Sequence, residues 1–230
     1  MATDPGTLDE HSTTETPRPH EMINIDIAAE GDVILVLQQM RLRVSSAILS
    51  SASPVFKTMF GPNFLEGQGQ RSAGDPKEVT LDDDDAAAMT RLCRILHHQK
   101  ETKDTALTSS IGLVESCVDG LFALTVVSDK YGCSDSVEMV VKYLLSELAS
   151  TSLSLFVSPM ALLVLSAVAY KIDDCRHFAL FSRRLVLDIT FNYSVLAGQY
   201  ALEALPSMFL CKYLVVDEDR ATADIRDSAS

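Results

Sequence analysis

Hydrophobic and polar positions divide the chain into short, well-punctuated segments. Val33-Ile34-Leu35-Val36-Leu37 is continuously apolar between Gly31-Asp32 and Gln38-Gln39, which predicts a strand covered on both faces. Arg41-Leu42-Arg43-Val44 alternates, as a half-exposed strand does, and the short gap between the two runs predicts a hairpin. Ser45 or Ser46 then caps a short helix carrying Ala47, Ile48 and Leu49. Ser53-Pro54 opens another, because serine caps well and proline has no N–H to orphan at the first helical position. Val55, Phe56, Met59 and Phe60 recur at helical spacing, and Gly61-Pro62 predicts its end, with Gly61 in the left-handed cap conformation. A helix of about two turns is unstable alone and must pack on something.

Gly67 to Lys77 is rich in Gly, Gln and Ser and reads as a mobile loop, and Glu78 to Leu81 as a third strand. Asp82 to Asp85 precede a helix with Met89, Leu92, Cys93 and Leu96 on one stripe. Helix capping and the helix dipole account for these aspartates better than a calcium loop, whose alternating acids and central glycine are absent. Lys100 to Ile111 reads as a loop. Leu121 to Tyr131 is apolar almost all round, which predicts a central helix closed by Gly132. Val137, Val140, Val141, Leu144, Leu145 and Leu148 form a clean helical stripe.

The segment between Glu147 and Lys171 carries no charge, a length sufficient to span a bilayer. Serines and Thr151 interrupt it, Ser158-Pro159 restarts a helix, and no basic flank orients it. It reads as a loop followed by a buried helix from Pro159 to Tyr170, with no membrane span. A further helix follows over roughly 173–188. There Phe178, Phe181 and Leu185 share a face, and Arg176, Arg183 and Arg184 read as solvated. Helical structure is expected to continue from Ser194 to Val215. Residues 1–22 and 216–230 are polar and acidic and predict disordered tails.

The apolar fraction of 47% can build a core, and the net charge of −13 argues against a nucleic-acid surface. The five cysteines are scattered without ligand spacing and read as reduced thiols of an intracellular protein, cytoplasmic or nuclear. The acidic, polar N-terminus does not resemble a signal peptide. No nucleophile elbow, phosphate loop, dinucleotide turn or zinc-protease helix is present. His97-His98 point different ways on a helix and read as residues complementing its C-terminal dipole. Cys175 and His177 diverge in the same way. No catalytic, cofactor or metal set emerges, so an enzyme reading has no residues to rest on.

GDVILVL, LRVSSAILSSASPVFKTMF, EVTLDDDDAAAMTRLCRIL and LFALTVVSDKYGCSDSVEMVVKYL, taken in this order, resemble a BTB/POZ domain over about 26–149. The serines where many animal members carry His-Lys, and the C-terminal pattern, are most similar to fungal members. The resemblance implies an α/β fold, a small sheet flanked by a cluster of short helices, over 23–150. It implies an all-helical extension over 151–215. It also implies a helical hairpin in which the Ser-Pro helix packs on its neighbours.

Such domains are non-enzymatic interaction modules that form homodimers or hetero-oligomers. Many hold substrate receptors onto a cullin scaffold of a ubiquitin ligase, while others are transcriptional or scaffold regulators. Asp32 matches the acidic residue of the family's charged pocket, but Ser46 stands at the basic position, which predicts that the charge pair is lost. Phe64 and Glu66 match the cullin-binding pattern of an apolar residue, any residue, then Glu. The competing reading folds Phe64 onto the core and leaves Glu66 solvated.

Overall fold

A computed structural model describes residues 22–99, 111–154 and 157–187. The tails expected at 1–22 and 216–230 (Met22 apart), most of the loop at 100–111 and the helix expected over 194–215 lie outside the described residues. A mixed sheet in the order β1-β3-β2-β4 is formed by β1 (Ile23–Asp26), β2 (Val33–Leu37), β3 (Met40–Val44) and β4 (Lys77–Thr80). β2 and β3 form the predicted hairpin, with Leu35 opposite Leu42 and Gln38 at positive φ in the turn. β1 runs parallel to β3, and β4 parallel to β2.

β1 is a strand the sequence pattern did not announce, so the expected third strand is the fourth, one residue early. Nor is β2 covered on both faces. Val33, Leu35 and Leu37 are buried, while Ile34 and Val36 are only half-buried.

Seven helices are described: α1 (Ser46–Ala52), α2 (Pro54–Met59), α3 (Ala86–Leu96), α4 (Ile111–Lys130), α5 (Ser134–Ser154), α6 (Pro159–Lys171) and α7 (Cys175–Leu187). α4 begins well before Leu121: Val114, Cys117 and Val118 extend its apolar spacing back towards Ile111, but Gly112, Glu115, Asp119 and Gly120 break up the pattern. α5 continues through Ser150–Ser154, expected to be loop. Serine and threonine in a helix weaken it only slightly, and the preceding turns already supply its hydrogen-bonding frame.

The survival of α2 has a packing explanation. Ser53 closes α1 by donating its N–H to Leu49 O at 2.9 Å, then opens α2 by accepting the Phe56 N–H on Oγ at 3.0 Å. The same hydroxyl donates to Tyr131 O at the end of α4. Phe56 is fully buried, stacked at 4.3 Å on Tyr131 and at 5.7 Å on Phe60. Gly132 takes the expected left-handed cap, φ 62°, and a Cβ there would sit 3.1 Å from Pro54 Cγ. Gly61 is not left-handed. Phe60 closes α2 near the helical region, and Gly61 N–H bonds Thr58 O at 3.0 Å.

α4 packs against α3, α5 and α6. α6 is buried at every position from Ala161 to Ala169, and Lys171 is tied to Asp129 of α4 at 2.8 Å. α7 lays Phe181 and Leu185 on α6 and α5, with His177 buried beside them. One hydrophobic core runs from the sheet through to α7. No helix among the described residues is long and apolar enough to cross a membrane.

Candidate protein-docking surface

The loop leaving α2 brings the predicted residues to the surface. Phe64 is 47% exposed and outside the core, so it does not fold back onto the interior as Phe56 and Phe60 do. It faces an open groove of about 470 Å³ lined by Pro54, Val55, Thr58, Met59, Phe64 and Glu66. Leu65, which the sequence reading passed over, is 77% exposed and more prominent than Phe64. Only its position in the Phe-Leu-Glu run could have signalled it.

Leu65–Gly67 forms a 3-10 turn, with Phe64 extended at its start. Gly67 N–H bonds Phe64 O at 3.0 Å, and Phe64 N–H bonds Gly61 O at 3.3 Å. Gly67 lies so close to Gly61 O that a Cβ would approach it to 1.8 Å, which makes glycine obligatory here.

The charged pocket departs from expectation. Ser46 supplies no cation, but Arg71, from the loop itself, does: its Nε lies 3.3 Å from Asp32 Oδ2. Its Nη2 donates to Phe60 O at 3.2 Å, and its guanidinium lies 5.5 Å from the Phe60 ring centre. Among the described residues, Arg71 Nη1 is buried without a hydrogen-bond partner. Asp32 also accepts the Ser46 N–H at 2.8 Å and the Ser46 hydroxyl at 2.6 Å, so this carboxylate caps α1 where Ser45 makes no side-chain cap. Burial pushes the Asp32 carboxyl up. The Ser46 hydrogen bonds and the Arg71 charge outweigh it, and the group ends below its ordinary value.

Other predicted features resolve differently. Asp85 caps α3 through Ala88 N–H at 2.7 Å, as expected. Asp84 is instead buried, accepting from Lys130 Nζ at 2.7 Å and Tyr131 Oη at 2.6 Å. His97 is not a charge complementing a dipole. Its Nε2 accepts the Ser45 N–H at 3.0 Å while Nδ1 meets Cys93 O at 2.8 Å, an arrangement that suits the neutral ring, and burial lowers its pKa. Cys175 is exposed while His177 is buried, bonded through Nδ1 to Asp174 at 2.6 Å. His177 Nε2 lies 3.3 Å from Ser146 Oγ. That Asp-His-Ser row is not a hydrolytic centre. Ser146 sits inside α5 with its hydroxyl turned to Lys142 O at 3.0 Å, and a mid-helix serine has no free N–H pair for an oxyanion.

The matched family model is the BTB/POZ domain, over residues 28–147, just over half of the chain. The chain belongs to the BTB/POZ family. A search of curated proteins found no match. The match covers β2 to β4 and most of α5, so the α1–α2 hairpin and the groove beside it lie within the BTB domain, a protein-interaction fold that also mediates oligomerisation.

Proposed function

We propose that this BTB protein is a non-enzymatic adaptor that docks on a cullin scaffold of a ubiquitin ligase through α2 and the Phe64–Glu66 loop. The observation that carries the reading is the exposure of Phe64 and Leu65 beside an apolar groove, where the BTB fold alone would not require large apolar side chains to meet solvent. Glu66 stands at the rim, suited to a cationic partner group. The helical region after the BTB domain would then carry the substrate or support a second copy of the chain, and the work would take place in the cytoplasm or nucleus. Titration calorimetry of the full chain against a purified cullin scaffold tests it, with Phe64→Ala as the variant.

A second reading, a transcriptional or scaffold regulator, draws on the Asp32–Arg71 pair. That pair keeps a charged pocket of the kind such members of the family use, with the cation supplied from another position. Failure to bind cullin, together with capture of a partner that Asp32→Asn abolishes, would favour it.

A further inference from the structure

The loop from Gly61 to Pro76 puts no apolar side chain into the core. Hydrophobic burial therefore does not set its shape, and its Gly-, Gln- and Ser-rich composition gives it little local preference. Its own turn hydrogen bonds and three cations hold its backbone instead. Arg71 bonds Phe60 O at the loop's root, and Arg43 of β3 reaches Ala73 O on the returning limb. Lys77, the first residue of β4, directs Nζ to both Leu65 O and Gln68 O, the carbonyls that bracket Glu66 and Gly67. Lys77 is itself fixed to the sheet, donating its N–H to Asp32 O at 3.0 Å in register with Val33.

A rigid strand thus presents one ammonium group to the two carbonyls of the turn that displays Phe64 and Leu65. Charge-assisted bonds of this kind are among the stronger ones available to a backbone carbonyl. Glycine at 67 lets the turn close against Gly61, but closure alone fixes only one side. The Lys77 contact fixes the other.

We infer that Lys77 is a positioning residue for the docking loop and that its charge governs how firmly Phe64 and Leu65 are presented to a partner. The inference rests on the docking reading for its consequence, but not for its test. A preorganised loop loses less conformational entropy on binding, so the loss of Lys77 should weaken docking without touching the contact side chains.

Hydrogen exchange by mass spectrometry on the full-length protein separates the possibilities, using wild type, Lys77→Met and Lys77→Arg. Lys77→Met should speed exchange across residues 61–70 by about tenfold, the scale of one charge-assisted hydrogen bond. Exchange in α4 and α6 should be unchanged, and Lys77→Arg should restore protection. In parallel, calorimetry against a cullin scaffold should show Lys77→Met weakening binding with Phe64 intact. Unchanged exchange over 61–70, or acceleration spread equally into α4, would overturn the inference. Absence of wild-type binding would remove the cullin reading, and the exchange result alone would then judge Lys77.

Discussion

The Tyr131 hydroxyl donates to the buried Asp84 Oδ2 at 2.6 Å, fastening the end of α4 to the turn that precedes α3. The ring of the same tyrosine stacks on Phe56, so one side chain joins α2, α3 and α4. Burial, and then the bond to Asp84, drive the phenol's pKa upward, so it stays protonated through the folded range. Tyr131→Phe keeps the stack and removes the donor. It should cost about 1–3 kcal/mol, read as a shift in the urea midpoint with an unchanged slope. An unshifted midpoint would mean that Lys130 alone satisfies Asp84.

Phe56 and Phe64, eight positions apart, should behave oppositely. Phe56→Ala removes a fully buried ring and should cost about 3–5 kcal/mol. Phe64→Ala should change stability by less than about 0.5 kcal/mol, as exposed positions do. It should weaken cullin binding by about 2 kcal/mol if the ring is an anchor. Chemical denaturation and calorimetry on the same samples check both, and a destabilised Phe64→Ala protein with unchanged binding would return the residue to a structural role.

Asp32 couples the loop that carries Arg71 to pH. Its folded pKa lies below the ordinary 3.8, so its contribution is complete above that value and is lost as pH falls through the folded pKa. Asp32→Asn should lower stability at pH 7 by about 1 kcal/mol, the scale of a helix cap, and flatten the acid limb of the stability profile below pH 4. Thermal melts across that limb test it.

His97 acts in a higher window. Burial lowers its folded pKa from 6.5, so its neutral bridge is fully stabilising above pH 6.5 and is lost as pH falls through the folded value. His97→Gln retains an acceptor but cannot charge. Its stability should vary less than that of wild type between pH 7 and 5.5, and parallel profiles would show that the ring does not titrate against folding.

The sequence made the local grammar legible. Ser53-Pro54, the stripe on α3 and the apolar α6 each follow from side chains interacting within about a turn, and each appears where the pattern puts it. Features that depend on distant partners were hidden. Ile23–Asp26 becomes a strand because β3 offers it an edge, and nothing in four mixed residues announces that. Asp84 looked like one of four interchangeable caps until Tyr131, far along the chain, closed on it. Asp32 looked unpaired because the cation was sought at Ser46, while Arg71 arrives from a loop whose course no periodicity predicts. Phe64 and Glu66 were readable as a motif, whereas the Lys77 contact beneath them arises only when β4 folds back beside the loop.

The buried α6 has a consequence for how the chain is made. Its nine consecutive buried residues are shared between α7, α5 and α4, the last of which belongs to the BTB domain, yet they are synthesised after that domain's last matched residue. During translation α4 therefore waits with an apolar flank uncovered until α6 emerges to meet it. A premature stop near residue 150 would release a chain with that flank permanently open, a substrate for chaperones and proteases rather than a smaller folded BTB protein.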